Sequence, residues 1–164
     1  MTKPNPLSPE TLEFWMARLL RHGGRAGQQG EIPVAAAVLN GLGHCIGWGS
    51  NSRHLGHDPL GHAELTALAQ AARLRSDWRF NDCTLVVTLE PCPMCAGALV
   101  QARMGRVVFA ANDSKRGALG GCLDLAQSPS AHHAMEVVGG ICQELAQEQL
   151  AAWFRQRRQL AQIP

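Results

Sequence analysis

The chain has 164 residues, of which 46% are apolar and 17% are charged. This length suits one domain with a sizeable core, and the composition excludes a disordered tail protein. The longest apolar runs, such as residues 94–100, are too short to cross a membrane. The net charge of +2 neither requires nor excludes a nucleic-acid partner. We expect a single domain over residues 1–164, with its core over about residues 9–158.

The cysteine content and the first residues predict the compartment. Residues 1–10 contain three prolines and no apolar stretch, which is unlike a secretory signal. Six cysteines in 164 residues are far below the density of a disulfide scaffold, so a reducing, cytoplasmic compartment is expected. Four of them are expected to be buried small apolar side chains: Cys45, Cys83, Cys122 and Cys142.

Apolar periodicity and Gly/Pro punctuation predict alternating helices and strands. A first helix begins at Ser8-Pro9-Glu10, where a serine N-cap precedes a proline, and it ends at Gly23-Gly24. Strands are expected at residues 32–39, 45–48, 84–89, 106–110 and 136–138, and helices at residues 62–74, 92–102 and 141–160. This order predicts a three-layer α/β/α domain with a central mixed five-stranded sheet.

Within the helix predicted over residues 62–74, one apolar face is expected to pack on the sheet. That face carries Leu65, Leu68, Ala69 and Ala72 at helical spacing.

Two segments carry metal-ligand chemistry. Residues 61–64 (Gly-His-Ala-Glu) open a predicted helix, and residues 90–95 (Glu-Pro-Cys-Pro-Met-Cys) lie where a strand meets a helix. Cys92 and Cys95 are neighbours on one helix flank, where the helix dipole favours thiolate. With His62 they make three ligands, which suits a tetrahedral zinc ion with one position open to water. A zinc-bound water ionises near neutral pH.

Glu64 follows His62 by two residues, at the tip of the same predicted helix. From that tip it can reach the metal centre as a proton carrier without being a ligand. Each motif alone has an ordinary explanation, because Cys-x-x-Cys also occurs in redox sites or as buried thiols. Together, in this order, they match the signature of zinc deaminases that act on nucleobases.

Beyond these motifs, the chain resembles the bacterial tRNA-specific adenosine deaminases of the cytidine deaminase superfamily. The resemblance covers roughly residues 12–158. It also rests on residues 30–34 (Gly-Glu-Ile-Pro-Val), 57–59 (His-Asp-Pro), 88–92 (Thr-Leu-Glu-Pro-Cys), 94–98 (Met-Cys-Ala-Gly-Ala) and 105–109 (Gly-Arg-Val-Val-Phe).

The resemblance implies a role for several residues. One Zn²⁺ per chain is held by His62, Cys92 and Cys95, and Glu64 moves protons during conversion of adenosine to inosine at the tRNA wobble position. The tRNA is expected to be an arginine tRNA, and the protein a homodimer with the helix after Pro91 at its interface. The substrate-binding residues implied are Asn51 at the target base, Asp113 near the sugar or flanking nucleotide, and Phe154, Arg155, Arg157 and Arg158 at the anticodon loop.

Other interpretations of these residues stay open at this point. Asn51 could be a turn residue, Phe154 a core side chain, and the basic helix end a response to the helix dipole. Residues 151–164 contain three arginines and no acid, so their guanidinium groups are expected to be free for phosphate. A deaminase of a free nucleobase or nucleoside, such as guanine or cytosine, is the alternative activity. A non-enzymatic zinc or redox module is the alternative class.

The chain also departs from the family pattern in its loops. Glycine stands at positions 56 and 61, Gln-Ser-Pro at residues 127–129, and a second histidine, His132, precedes His133. These loop positions bear on RNA contacts and leave the zinc ligands unchanged, and His132 and His133 are expected to lie in a solvated loop.

Overall fold

A computed structural model describes residues 6–162. Four helices and five strands follow in the order α1 Pro9–Gln28, β1 Ala35–Leu39, β2 Cys45–Ser50, α2 Ala63–Arg75, β3 Thr84–Leu89, α3 Pro93–Gln101, β4 Arg106–Ala111, β5 Glu136–Gly139 and α4 Gln143–Leu160. The predicted order and fold class are confirmed. Residues 1–5 and 163–164 lie outside the described residues. Two sequence predictions fall partly on them: the absence of a secretory signal over residues 1–10, and the outer ends of the domain.

The sheet runs in the order β2-β1-β3-β4-β5. Strand β1 is antiparallel to β2 and β3, whereas β3, β4 and β5 are mutually parallel. Ala35 at the start of β1 pairs with Ser50 at the end of β2, and Leu89 pairs with Ala111 where β3 and β4 end. The start of β1 and the ends of β2, β3 and β4 therefore lie at the same end of the sheet. The loops attached to these four strand ends are brought together there.

Apolar side chains fill both faces of the sheet. Helices α2 and α3 cover one face, where Val38, Val87 and Val107 are fully buried. Helices α1 and α4 cover the other face, with Met16 and Val86 in its core. These two cores make the three predicted layers. Within the described residues, no helix is long and apolar enough to cross a membrane.

The end of α1 differs from the sequence prediction. The helix continues past Gly23-Gly24 to Gln28. Gly23 packs against the segment before β1, and a Cβ there would lie 3.0 Å from the carbonyl oxygen of Pro33. The glycine therefore permits close packing inside the helix and does not end it, and that contact involves a residue ten positions away. The other boundaries differ from prediction by at most three residues.

The buried face of α2 also differs from prediction. Ala63, Ala67 and Ala71 are fully buried, while the predicted Leu65, Leu68 and Ala72 are only partly buried and Ala69 is exposed. A Cβ at Gly47 of β2 would collide with the backbone of α2. Because β2 presents glycine here, α2 lies too close to the sheet for leucine, and alanine fills the contact.

Side-chain exposure corrects two sequence predictions, one on the cysteines and one on a histidine. Cys83 is buried as expected, but Cys45 and Cys142 are half-buried and Cys122 is exposed. His132 is exposed, whereas His133 is partly buried, with its Nε2 atom 2.9 Å from the carbonyl oxygen of Met104. His133 therefore helps to hold its loop against the domain and is not simply solvated.

Candidate active site

The N-terminal ends of α2 and α3 meet at the sheet end where β2, β3 and β4 finish. His62 is the N-cap residue of α2, and Cys92 is the N-cap residue of α3. Neither side chain caps its own helix, so both remain available to another partner. Cys95, one turn into α3, is buried beside them. Two helix N-termini thus point at one centre and favour negative charge there.

The spacing of these three side chains fits a tetrahedral metal. The Nδ1 atom of His62 lies 3.6 Å from the Cys92 sulfur and 3.5 Å from the Cys95 sulfur. Zinc–sulfur and zinc–nitrogen bonds at a tetrahedral angle place nitrogen and sulfur about 3.6 Å apart. Within the described residues, His62, Cys92 and Cys95 form the one group of this kind, and none of their ligand atoms is more than 4.8 Å from another. The donor set and its spacing therefore fit zinc with one coordination position left open.

The pKa values of the Cys92 and Cys95 thiols are shifted by the contact between them and by His62. A hydrogen bond from Cys95 is the largest of the effects that lower the pKa of Cys92 to about 3, and His62 adds to it. The same contact is the largest cause that raises the pKa of Cys95, followed by burial. One thiol of this pair is therefore readily ionised, and the other must lose a proton when a cation binds.

Glu64 lies in the first turn of α2, with only 4% of its surface exposed. Burial is the largest cause that raises the pKa of its carboxyl group to about 7. It is not among the three grouped ligands. A buried carboxyl group with a raised pKa can both take and give a proton, and the proton-carrier role of Glu64 stays a prediction.

Asn51 follows β2 and is buried. Its Oδ1 atom accepts a hydrogen bond from the backbone N–H of Ala63 at 3.1 Å, the first residue of α2. This bond fixes the side-chain amide, which lines the same cavity as His62 and Glu64. The amide NH₂ group is therefore the part of Asn51 that is best placed to donate a hydrogen bond to a ligand.

A cavity of about 490 Å³ opens over the metal-ligand group. Phe154 from α4 and Asp113 after β4 lie in its wall, so the structure brings both predicted residues to the site. Arg53 and Arg116 also line the cavity, and sequence reasoning did not single them out. Both are exposed and follow strands β2 and β4 in loops, so only the fold reveals that they line the same cavity.

Two buried carboxylates that sequence reasoning also missed hold the loops around this cavity. Glu31 is 2% exposed and accepts backbone hydrogen bonds from Arg53, His54 and Leu55 at 2.8–3.2 Å. It thereby fixes the start of the 52–61 loop, which leads to His62. The sequence signal available was an acid placed just before an apolar run, and that pattern does not name its partners.

Glu90 has the same function on the opposite side of the cavity. It is 3% exposed and accepts from the backbone N–H groups of Asp113, Leu119 and Gly121 at 2.7–3.0 Å. A Cβ at Gly117 would collide with the Glu90 carboxylate, so this loop can close around the acid only with glycine there. Glu90 thus positions Asp113 without itself being a metal ligand.

Replacing either carboxylate by its amide is expected to destabilise the protein. Glu31→Gln and Glu90→Gln each exchange an acceptor oxygen for an NH₂ group, which leaves buried backbone donors unsatisfied. We expect each to lower the free energy of unfolding by about 2 kcal/mol. Urea denaturation of the variants measures this change. Glu144→Gln, at an exposed position of α4, is the matched control and should stay within about 0.5 kcal/mol of the original protein. Equal stability of all three variants would contradict the role of both acids.

Two of the C-terminal arginines form contacts within the chain that the sequence analysis did not predict. Arg155 forms an ion pair with Glu148 at 2.8 Å, so the prediction that these guanidinium groups are free of acids is wrong for this residue. Arg157 donates to the carbonyl oxygen of Gly30 at 2.7 Å and lies over the Trp153 ring. None of Arg155, Arg157 and Arg158 lines the cavity. The acid lies seven positions before Arg155, outside the segment on which the prediction was based.

The fold and this site together define a class. The family described as the cytidine and deoxycytidylate deaminase zinc-binding region matches residues 9–111, which include His62, Glu64, Cys92 and Cys95. The chain therefore belongs to the cytidine and deoxycytidylate deaminase family, as the sequence motifs predicted.

Similar proteins narrow the resemblance further. The tRNA-specific adenosine deaminase of Bacillus subtilis (strain 168) is 38% identical over 89% of this chain and 90% of its own length. A solved structure from a study of A-to-I editing by tRNA:A34 deaminases at the wobble position has a TM-score of 0.78 and 31% identity, covering 83% of this chain and 99% of that one. A guanine deaminase from Nitrosomonas europaea has a TM-score of 0.71 and 25% identity over 93% of this chain and 87% of its own. The predicted resemblance to tRNA-specific adenosine deaminases is confirmed.

Proposed function

We propose that the chain is a zinc-dependent deaminase that converts adenosine to inosine at the wobble position of tRNA. The observation that carries this proposal is the buried Glu64 carboxyl group beside the His62, Cys92 and Cys95 group in an open cavity. A structural zinc site has no use for an uncoordinated buried carboxyl group next to its ligands. The relatives named above indicate adenosine in tRNA as the substrate.

His62, Cys92 and Cys95 hold the metal in this proposal. Bound zinc would lower the pKa of a water molecule to roughly 7 and so supply hydroxide at neutral pH. Glu64 takes a proton from the attacking water through its carboxylate oxygen. It gives that proton to the ring nitrogen, takes the second proton of the water oxygen once the C–O bond has formed, and passes it to the leaving amine as the C–N bond breaks, so that water and adenosine give inosine and ammonia. Burial raises the pKa of the Glu64 carboxyl group, which favours the protonated form that must give its proton to the base.

Other residues orient the nucleotide. Asn51, fixed by its bond to Ala63, donates its amide N–H to an acceptor on the base. Arg53 and Arg116 extend from the two loops held by Glu31 and Glu90, where they can pair with phosphates on either side of the base. An anticodon loop presents unstacked bases, which lowers the cost of inserting one into the cavity.

The direct test compares substrates. Zinc-loaded protein is incubated with an anticodon stem-loop carrying adenosine at the wobble position, with the same stem-loop carrying guanosine there, and with free adenosine. Mass spectrometry of the digested RNA detects inosine. We expect inosine in the first RNA alone, and Glu64→Gln provides the inactive control. Turnover of free adenosine at the rate of the stem-loop would contradict an RNA substrate.

A second candidate activity is deamination of a free base such as guanine. It is favoured by the likeness to the Nitrosomonas europaea guanine deaminase, whose fold covers 93% of this chain. The metal ligands do not separate the two activities, since both use the same zinc chemistry. Guanine and cytosine therefore belong in the same assay, and ammonia release from either without RNA turnover would replace the first proposal.

Three finer features complete the proposal. The substrate is an arginine tRNA, the enzyme acts in the cytoplasm, and it is a homodimer with α3 at the interface. Helix α3 supports the homodimer because Met94, Gly97 and Ala98 are only half-buried on it. A Cβ at Gly97 would meet no atom within 4 Å, so this part of the helix surface has room for a second chain. Sedimentation equilibrium of the original protein and of Gly97→Arg distinguishes a dimer built on this face from a monomer.

Phe154 is expected to contact a base of the anticodon loop. The ring is 43% exposed and lines the cavity, so it offers a face for stacking. Phe154→Ala should weaken stem-loop binding about fivefold or more, mainly by raising KM. Leu160→Ala, at a similarly exposed position of α4, is the control and should bind normally. Melting temperatures separate lost stacking from lost stability, and an unchanged KM in a stable Phe154→Ala variant would remove the residue from the site.

A further inference from the structure

A second groove lies between α1 and the edge strand β2. It has a volume of about 560 Å³ and is lined mainly by basic and aromatic side chains. Its polar and aromatic lining consists of Trp15, Arg18, Arg21, His22, Arg25 and Trp48. None of these residues lines the zinc-site cavity, so the groove is separate from the candidate active site.

The groove is positively charged and contains no acid. Arg18, Arg21 and Arg25 are exposed, and residues 14–30 include no aspartate or glutamate. Among residues 6–162, no carboxylate forms an ion pair with these three arginines. Burial and then the charge of Arg25 lower the pKa of His22, so the positive charge comes from the arginines. Three guanidinium groups on one helix face, with no carboxylate partner in the described part of the chain, suit a ligand with several negative charges.

The C-terminal helix gives a comparison within the same protein. There, Arg155 pairs with Glu148, and Arg157 is bonded to the Gly30 carbonyl group. Those two arginines have partners inside the chain, whereas Arg18, Arg21 and Arg25 form no ion pair with the described residues. Arg18 lies over the rings of Phe14 and Trp15, and its N–H edges form no ion pair with the described residues.

Trp48 adds a surface for stacking. Its side chain is 50% exposed and projects from β2 toward α1, where it meets the His22 ring edge-on at 4.2 Å between centroids. On the other face of the same strand, Gly47 and Gly49 lie against α2. An exposed indole beside arginines fits a ligand that carries both flat rings and phosphates.

The groove is also connected to the active site by the strand that carries Trp48. Asn51 follows three residues later, about 10 Å away along extended chain. A polynucleotide whose reacting base lies beside Asn51 can therefore pass over the edge strand and reach the groove with a neighbouring nucleotide.

We propose that the groove between α1 and β2 binds a single-stranded segment of RNA outside the reacting nucleotide, with phosphates on Arg18, Arg21 and Arg25 and a base on Trp48. This inference rests on the proposed function, because it extends the contact between the enzyme and a tRNA substrate. The groove adds affinity without reading sequence, since phosphates and stacked rings are common to all nucleotides.

The test uses the zinc-loaded protein and a labelled oligouridylate of twelve nucleotides, which holds no adenosine to deaminate. Fluorescence anisotropy gives its affinity across a salt series. Arg18→Gln with Arg21→Gln should reduce the slope of log affinity against log salt by about 1.4, because each lost phosphate contact removes about 0.7. Trp48→Ala should weaken binding at least about fivefold.

Two control variants match the arginine pair. Arg18→Lys with Arg21→Lys keeps the charge and should keep the salt slope. Arg73→Gln with Arg79→Gln removes the same charge at exposed positions in and after α2, on the other side of the sheet, and should bind like the original protein. If the α1 variants bind like this second control, the inference is overturned. It is also overturned if inorganic phosphate displaces the RNA at equal phosphate concentration, which would make the groove a simple anion site.

The assay separates this inference from the proposed function. Deamination of the wobble stem-loop by the original protein tests the function, and the oligouridylate measures the groove without turnover. Normal deamination together with unchanged affinity in the α1 variants refutes the groove alone. Absence of any RNA deamination refutes the function, and weakened oligouridylate binding in the α1 variants would still support RNA binding in the groove.

Discussion

Glu64→Gln is expected to abolish deamination while leaving zinc and fold intact. The amide has the shape of the carboxyl group but cannot take a proton from the attacking water or pass one to the base. Because general acid–base groups contribute roughly 10²–10⁴-fold to the reaction rate, we expect kcat on the stem-loop to fall at least about 100-fold. Single-turnover assays measure the rate, and emission spectroscopy measures the metal in the same samples.

Two outcomes would contradict this role for Glu64. Loss of zinc from Glu64→Gln would make the residue a ligand, although it lies outside the grouped donors. Retention of zinc with a near-normal rate would show that the carboxyl group moves no proton in the reaction. Glu144→Gln, an exposed change of the same chemistry on α4, should leave both rate and metal unchanged.

Cys95→Ser is expected to remove both the metal and the activity. The original protein should contain about one zinc per chain, because three donors bind the ion and a fourth position stays open. A serine hydroxyl is a poor zinc ligand, so the variant should retain little metal and no measurable turnover. Since a bound ion stabilises the folded state, the melting temperature should fall as well, and a chelator should have the same effect on the original protein.

Cys122→Ser provides the matched control, because Cys122 is an exposed thiol outside the metal-ligand group. It should keep full zinc content, activity and melting temperature. A fourth protein ligand in a crystal structure, or full activity in protein stripped of metal, would show that the proposed open position or the metal requirement is wrong.

The metal-ligand group could be recognised from sequence because its chemistry is local. Cys92 and Cys95 are one helical turn apart, and His62 and Glu64 share a helix tip, so short-range geometry fixes each pair. Sequence spacing alone gives no distance between these two helix tips. The structure shows why the two tips meet: β3 and β1 are adjacent, and the chain before α2 and the chain after β3 reach the same end of the sheet.

Helix lengths and buried faces were harder to predict, because neighbours far along the chain decide them. Gly23 looked like a helix end, yet its lack of a side chain serves a contact with Pro33. The leucines of α2 looked like its core face, but the glycines of β2 bring that helix so close that alanines fill the contact. A periodic pattern records which residues are apolar and contains no information on the distance to the partner surface.

By itself, the sequence determined the α/β class, the order of its elements, and the residue types of a zinc deaminase site. Only the tertiary structure decided which charges are satisfied. Glu31 and Glu90 accept hydrogen bonds from backbone N–H groups in loops that lie 22 to 31 residues further along the chain. Arg155 forms an ion pair with Glu148, two helical turns before it. Arg18, Arg21 and Arg25 find no acid within the described chain. A charge is neutralised by what lies within a few ångströms, and that distance is set by the fold.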